Sequence, residues 1–184
     1  MERLDPPLHV RTPTATDLAE LADVAARTFP LACPPGATAE NIAAFVEEHL
    51  SAERFAGYLA DPARDLVVAV RDGRITGYAM LIHGDPDDAD VAQAVTLRPA
   101  VELSKIYVLP DSHGAGVSAA LMTEAINRAG RSGSACMWLG VNQENPRAQR
   151  FYAKHGFTVA GTKTFRLGAG LEQDYVLVRP LSSA

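Results

Sequence analysis

The chain has 184 residues, 47% hydrophobic and 21% charged, which is typical of one soluble globular domain and excludes disordered, collagen-like and coiled-coil chains. The net charge of -5 comes from residues 1–60, which hold nine acidic and four basic side chains, while residues 61–184 hold thirteen of each. Nucleic-acid binding needs a basic surface, so this balance argues against such a partner. It suits a solvated acidic helix face or a cationic small-molecule ligand.

The N-terminal third is predicted to form one strand and three helices. His9–Thr12 is the strand, and Thr14 is a suitable N-cap for a helix that ends before the Pro-Pro-Gly turn at 34–36. The second helix is expected to start near Thr38. The third is expected over Ser51–Leu59, where an Asp-Pro pair then ends it.

The middle of the chain is predicted to be extended. Asp65–Val70 and Ile75–Ile82 are rich in branched and aromatic residues and flank Asp72-Gly73, a strong signal for a hairpin turn. Asp85–Asp90 reads as an acidic, mobile loop. It leads to a further extended run, Val101–Pro110.

The last third is predicted to alternate helices and strands. A helix after the glycines at 114–116 repeats apolar residues every four positions: Val117, Leu121, Ala125 and Ala129. The continuously apolar run Ala135–Val141 predicts a central strand covered by helices on both faces. Residues 157–165 and 171–178 are predicted to be a final pair of strands.

The residues that bear on location and metal binding give three expectations. No apolar run approaches the roughly 20 residues that cross a bilayer, and the charged, proline-containing start lacks the apolar core of a secretory signal. Two cysteines suit a reducing cytoplasm. Cys136 is expected in the core. Cys33, which lies beside Pro34 and Pro35, is expected in a loop near the substrate. The five histidines lack HxxxH or HxH spacing, so no metal site is expected.

A glycine-rich turn around Gly114 is the first candidate site. Glycines let backbone N–H groups approach an anion, and a helix N-terminus adds unpaired donors, so a phosphate is the expected guest. Residues 114–119 also match the GxGxxA form of a dinucleotide-binding turn. We disfavour a nicotinamide cofactor because Pro110–His113 separate the strand from the first glycine and no acidic residue ends the next strand.

Residues 145–155 carry the second candidate site. Asn145 opens a predicted helix, which Gly156 ends and which places Tyr152 on one face with Ala148 and Phe151. Taken alone, Tyr152 suits an ordinary core aromatic as well as a functional phenol.

The two segments together resemble the GCN5-related N-acetyltransferase (GNAT) superfamily. One family motif reads Asn-x-x-Ala-x-x-Phe/Leu-Tyr-x-Lys-x-Gly-Phe and is matched by Asn145, Ala148, Phe151, Tyr152, Lys154, Gly156 and Phe157. The phosphate loop reads Gln/Arg-Gly-x-Gly-x-Gly/Ala; Gly114 and Gly116 match it, whereas His113 and Ser118 depart from it. The segments TFP, TAENI, FRLG and DYVLV further resemble the bacterial polyamine acetyltransferase subgroup.

The resemblance implies an α/β three-layer fold with a central mixed, mostly antiparallel sheet that splays between strands 4 and 5. Residues 1–184 would be one domain, with an N-terminal strand and acceptor-side helices at 1–60 and an acetyl-CoA-binding core at 65–184. Strand 4 would hold pantetheine and the glycine turn pyrophosphate. The implied cofactor-binding residues are Ile106, Tyr107, Val108, His113, Gly114, Ala115, Gly116, Val117, Ser118, Asn145 and Tyr152.

The resemblance also implies direct acetyl transfer to an amine in a ternary complex. A lysine-like amine has a pKa of about 10.4 and is protonated near neutrality, so attack requires a base. Glu102 is the candidate, because it precedes the cofactor-holding stretch on the same strand. Alternation would place it on one face with Ser104, Ile106 and Val108. The Val108 N–H is the candidate oxyanion donor, and Tyr152 the candidate acid for the leaving thiolate.

We therefore expect a cytoplasmic acetyl-CoA-dependent N-acetyltransferase for a small, cationic primary amine, with no metal, nucleic-acid or membrane partner. Two alternatives stay open: a non-catalytic CoA-binding or sensing module, and a protein N-acetyltransferase. Tyr152 favours an enzyme over a sensor. A homodimer is left open.

Overall fold

The computed structural model of the protein describes residues 5–182, which include one seven-stranded sheet. The strands are β1 (Leu8–Arg11), β2 (Arg64–Arg71), β3 (Arg74–His83), β4 (Ala100–Val108), β5 (Cys136–Asn142), β6 (Thr158–Leu167) and β7 (Gly170–Pro180). Their spatial order is β1-β2-β3-β4-β5-β7-β6. Only the β4–β5 pair is parallel within these residues. The predicted mixed, mostly antiparallel sheet is confirmed.

Six α-helices accompany the sheet within the described residues. They are α1 (Leu18–Ala32), α2 (Ala39–His49), α3 (Ala52–Ala60), α4 (Ala89–Ala94), α5 (Val117–Arg131) and α6 (Pro146–Lys154). The hydroxyls of Thr38 and Ser51 cap α2 and α3, each accepting a 3.1 Å bond from a backbone N–H. The predicted starts of these helices are confirmed. None of the six is long and apolar enough to span a bilayer.

The helices cover both faces of the sheet, as predicted. The apolar stripe of α5 packs on β4 and β5 together with the aromatic face of α6. On the opposite face, α1, α2 and α3 cover β2, β3 and β4, while α4 covers β5 and β7. The core therefore lies in two layers, one on each side of the sheet.

The acidic segment at 85–90 leads into a helix: residues 85–88 lie outside regular structure, and α4 begins at Ala89. The Asp88 carboxylate accepts bonds from the N–H groups of Asp90 (2.9 Å) and Val91 (3.1 Å) and caps α4. Val91 then packs beside Trp138 on β5. The predicted loop is therefore confirmed as far as Asp88, whereas its last residue, Asp90, lies in the helix that this carboxylate caps.

A β-bulge in β4 corrects the expected alternation. Lys105 and Leu103 face successive residues of β3, so Ser104 is the extra residue. The bulge reverses the facing of the residues beyond it, and Val108 packs in the α5 core with Leu103. Glu102 therefore lies on the opposite face from Val108, and the predicted shared face is wrong.

Strands β4 and β5 pair over three residues only. Ala100–Glu102 face Cys136–Trp138, and the remaining length of β4 has no partner on that side within residues 5–182. The predicted splay between strands 4 and 5 is confirmed.

Gly77 on β3 provides a test of how tightly the sheet packs beside this splay. A Cβ at Gly77 would lie 2.8 Å from the Tyr107 carbonyl oxygen and 3.1 Å from Leu121 Cδ1. We expect Gly77→Ala to lower the free energy of unfolding by about 1–3 kcal/mol, since overpacking forces the backbone to move. Urea denaturation followed by circular dichroism measures this loss.

Gly57 is the matched control for that substitution. It lies exposed inside α3, and a Cβ there would meet nothing within 4 Å. Gly57→Ala should raise the free energy of unfolding by about 0.5–1 kcal/mol. Equal effects of the two substitutions would contradict the close approach of β3 and β4.

Candidate active site

A cleft of about 380 Å³ opens where β4 leaves β5. Nine of the predicted residues line it: Glu102, Ile106, Tyr107, Val108, His113, Gly114, Ser118, Asn145 and Tyr152. Ala115, Gly116 and Val117 lie outside its wall. Val117 is buried in the α5 core, and the Ala115 carbonyl accepts a 3.3 Å bond from Arg71. The residues predicted from the sequence therefore form most of one wall of the cleft.

The glycine turn before α5 has the conformation that its composition predicts. Gly114 and Gly116 both have φ of +79°, which side chains other than glycine rarely adopt. A Cβ at either would meet nothing within 4 Å. Gly116 is the N-cap of α5, whose first turn has no acidic residue, so its N–H groups face no local carboxylate. Such a turn suits a phosphate group.

His113 links the glycine turn to α6. Its Nε2–H donates to the Val108 carbonyl at 3.0 Å, and its Nδ1 accepts from the Arg147 guanidinium at 2.8 Å. One imidazole makes both bonds only as the neutral tautomer protonated on Nε2. Arg147, which sequence reasoning missed, thus brings a positive charge to the imidazole at position 113.

The backbone of Val108 points into the opening of the sheet. The N–H of the next residue, Leu109, donates to Thr76 on β3 at 2.9 Å. Successive residues of a strand direct their N–H and C=O groups to opposite edges, so those of Val108 point away from β3. His113 takes the carbonyl. The Val108 N–H has no strand partner on that side, since β4 pairs with β5 only through Glu102.

Tyr152 lies in α6 between two aromatic neighbours. Its ring centroid is 5.5 Å from that of Phe151 and 5.9 Å from that of Phe157. Burial raises the pKa of its phenol well above the usual value near 10. The hydroxyl therefore stays protonated at neutral pH, on the wall of the cleft.

Glu102 lies among cations on the other wall. Burial raises the pKa of its carboxyl, and Lys163, Lys105 and Arg64 oppose the rise. Burial lowers the pKa of Lys105 to about 8, with Glu102 opposing that shift. Glu102 thus shares its surroundings with two lysines and an arginine.

Asp174 is a cleft carboxylate that sequence reasoning missed. It is 6% exposed, on β7, and burial raises the pKa of its carboxyl to about 6 while Lys163 opposes the rise. The signal was present in the DYVLV run, because Asp174 is in phase with Val176, a fully buried residue.

Aromatic rings close the cleft beside these charges. Phe45 stacks on Phe29 at 4.4 Å between centroids and lies 5.5 Å from Phe165. Cys33 also lines this wall, and burial raises the pKa of its thiol to about 11, so it stays protonated at neutral pH. Cys136 is fully buried in β5, as predicted.

The acidic side chains of α2 and α3 lie elsewhere. Glu47, Glu48 and Glu53 line a separate groove beside Arg54 and Arg64. The acidic excess of the N-terminal helices therefore does not supply the carboxylates of the cleft, which come from β4 and β7.

Sequence comparisons relate this chain to a known protein family. The model of the Acetyltransferase (GNAT) family matches residues 20–157. An uncharacterized N-acetyltransferase of Mycobacterium bovis is 57% identical over 166 residues, which cover 90% of this chain and 99% of that protein. A second, from Lactobacillus delbrueckii subsp. lactis, is 27% identical and covers 90% and 92%.

Solved structures share the fold at low sequence identity. The PaiA N-acetyltransferase from Thermoplasma acidophilum, in complex with coenzyme A, has a TM-score of 0.74 at 19% identity and covers 95% of this chain and 99% of that chain. The ribosomal-protein-S18-alanine N-acetyltransferase from Escherichia coli has a TM-score of 0.67 at 20% identity, covering 97% and 96%. The similarities do not single out a polyamine subgroup. The match to the family model and the relative that is 57% identical show that the chain belongs to the GNAT family of acetyltransferases.

Proposed function

We propose that the protein transfers the acetyl group of acetyl-CoA to the primary amine of a small, cationic acceptor in a ternary complex. The observation that carries the proposal is the cleft at the β4–β5 splay, which joins a phosphate-type glycine turn, a protonated phenol and buried carboxylates. The division into acceptor-side helices at 1–60 and a cofactor core at 65–184, the cytoplasmic location and a homodimer stay predictions.

The donor side of the cleft is assigned to the wall formed by β4, the glycine turn and α6. The unpaired edge at Ile106–Val108 would bind the pantetheine amides, and the turn at 113–118 the pyrophosphate. Asn145, which follows β5 and caps α6 at 3.1 Å, also lines the cleft. The family pattern has Gln or Arg at position 113; here Arg147 contacts His113, so the loop would have a cation near the phosphates.

The acceptor side is assigned to the wall with three carboxylates and two lysines: Glu102, Glu172, Asp174, Lys105 and Lys163. An amine arrives as an ammonium ion, and carboxylates in a partly enclosed cleft attract it. The aromatic rings on the same wall suit its carbon chain. A polyamine is the finer expectation within this class.

The chemistry needs a base, an oxyanion donor and an acid. Glu102 and Asp174 are the two candidates for the base, and both lie on the acceptor side. The Val108 N–H would donate to the oxygen that becomes negative as the amine attacks. Tyr152 would give its proton to the departing sulfur. Burial keeps the phenol protonated but also makes it a weaker acid than the thiol it would form, so the transfer requires direct contact between the hydroxyl and the thiolate.

A panel of acceptors tests the proposed function. Spermidine, n-butylamine, aniline and a peptide with a free N-terminal alanine are each mixed with acetyl-CoA, and free thiol is followed. We expect transfer to the cationic amines, with an apparent KM that rises with salt because exposed charges are screened over about 8 Å at physiological ionic strength. Coenzyme A binding without thiol release from any acceptor would favour a sensor, and peptide alone a protein acetyltransferase.

Gly116 tests the phosphate site. Gly116→Glu adds a carboxylate at the start of α5 and should weaken coenzyme A binding steeply, since the anion meets a negative charge. Gly116→Ala is the control, because it carries the same positive-φ strain of about 1–2 kcal/mol without the charge. Calorimetry on both folded variants measures the difference. Equal affinities would contradict the assignment.

Tyr152→Phe tests the acid. The variant keeps the ring and its packing, so coenzyme A binding should persist while kcat falls by about 10²- to 10⁴-fold. Tyr175→Phe removes a phenol from β7 outside the cleft wall and should leave kcat unchanged. Single-turnover transfer is measured with the amine that the panel selects. A wild-type transfer rate in Tyr152→Phe would return this residue to a packing role.

A further inference from the structure

Asp174 is a mostly buried residue whose carboxylate has no hydrogen-bond or ion-pair partner among residues 5–182. It faces Asn142 on β5 and Lys163 on β6 across the sheet. The residue is 6% exposed and lines the cleft, and its oxygens are not sealed from solvent. A carboxylate in such surroundings is ordinarily paired, since partial desolvation without a donor is costly. A donor from a ligand in the cleft can reach these oxygens and would supply the pair.

Gly140 on β5 lets Asp174 reach the cleft. A Cβ at Gly140 would lie 3.1 Å from Asp174 Oδ2 and 2.5 Å from Lys163 Cε. Any larger residue would force the ends of the Lys163 and Asp174 side chains to shift. The glycine therefore keeps the carboxylate at the point where β5 has already parted from β4.

Tyr107, Asp174 and Tyr152 line the same cleft. Burial raises the pKa of the Tyr107 phenol, and the charges of Tyr152, Cys33 and Asp174 act in the same direction. A substrate bound in the cleft therefore has both the Asp174 carboxylate and the protonated Tyr152 phenol on its walls.

We infer that Asp174 binds the acceptor's ammonium group and accepts one proton from it, as the base of the proposed acetyl transfer. One N–H bond of the ammonium breaks, its electron pair stays on nitrogen, and the proton joins the carboxylate oxygen. The free amine then forms the new C–N bond to the acetyl carbon, and the C–S bond breaks with its electrons on sulfur. The substrate class is a primary amine that binds in its charged form.

Glu102 is less suited to this contact because cations already surround it. Lys163, Lys105 and Arg64 all act on its carboxylate, so an arriving ammonium would face their repulsion. Lys163 is the one cation that acts on Asp174. Glu102 therefore serves to balance the lysines of the cleft.

The charged and titratable groups that interact electrostatically with Asp174 come from three strands. They are Lys163 on β6, Glu172 on β7 and Tyr107 on β4. Burial raises the pKa of the Tyr107 phenol away from neutrality, whereas it brings the pKa of Asp174 to about 6. Asp174 is therefore the group expected to set an acidic limb of the rate profile near pH 6.

The pH profile of kcat/KM tests the inference. In wild type, kcat/KM for the amine that the panel selects should rise to about pH 6 and then stay level up to pH 9, because the ammonium form binds and the carboxylate takes its proton. Asp174→Asn should lose about 10²- to 10⁴-fold at pH 7 and rise about tenfold per pH unit, since only the free amine then reacts. Coenzyme A affinity reports whether the variant is folded.

Two carboxylate variants provide the controls. Glu172→Gln removes a neighbouring cleft charge from the same strand; it should lower kcat/KM for a cationic amine but keep the level shape of the profile. Glu102→Gln should also keep that shape. A level profile in Asp174→Asn, or its loss in Glu102→Gln alone, would overturn the inference while leaving the proposed acetyl transfer intact.

A binding measurement decides the inference without turnover. The ¹³Cγ signal of Asp174 in the coenzyme A complex is followed by NMR during titration with n-butylamine at pH 7, and with n-butanol as a neutral match. The amine should shift this signal and the alcohol should not. An unmoved signal overturns the inference. If the acceptor panel gives no product, the proposed function fails, and this titration still tests Asp174.

Discussion

The early end of the β4–β5 pairing is the constraint on which the site depends. These two strands are held together over three residues, after which the β4 backbone has to find other partners. Open strand edges inside a protein are costly unless their polar groups are satisfied. The Val108 carbonyl takes its bond from His113, a residue of the turn that leads into α5. One side chain thus ties the sheet opening to the glycine turn, and through Arg147 to the start of α6.

The bulge at Ser104 then divides the opening into two sides. Before the bulge, Glu102 faces the layer of α1 to α4, whereas beyond it Val108 faces the layer of α5 and α6. A strand without the extra residue would direct both side chains to one side. The side chains of β4 thus reverse direction at the bulge. This one strand contributes backbone groups to the donor side and charged side chains to the acceptor side.

Sequence predicted the parts of the fold that depend on local chemistry. The helix starts at Thr38 and Ser51, the hairpin at Asp72-Gly73 and the glycine turn each depend on residues within a few positions of one another. The prediction of a loop through Asp90 missed the start of α4, because aspartate is common both in loops and at helix N-caps. The bulge at Ser104 leaves no local mark, since it is defined by its partner strand.

The site was predicted less completely than the fold because its charges meet through space. Arg147 lies 34 residues from His113, and their contact exists only once α6 has folded against the opening. Asp174 is separated from Glu102 by β5 in the sheet order. Periodicity could mark Asp174 as an acid in a buried phase. It could not reveal that the cations gather around Glu102 and leave Asp174 with fewer neighbours.

Burial acts on both sides of the opening and prepares them for opposite tasks. It raises the pKa of the Asp174 carboxyl to about 6, which is below neutrality, so the group stays an available base. The same effect raises the pKa of the Tyr152 phenol further above neutrality, so that group keeps its proton and would give it up only to a thiolate in direct contact. Desolvation therefore brings the carboxyl closer to the working pH without protonating it, and it holds the proton on the phenol more tightly. At neutral pH a single cause leaves one deprotonated and one protonated group on the same cleft, which is the starting state that acetyl transfer from a thioester to an ammonium ion requires.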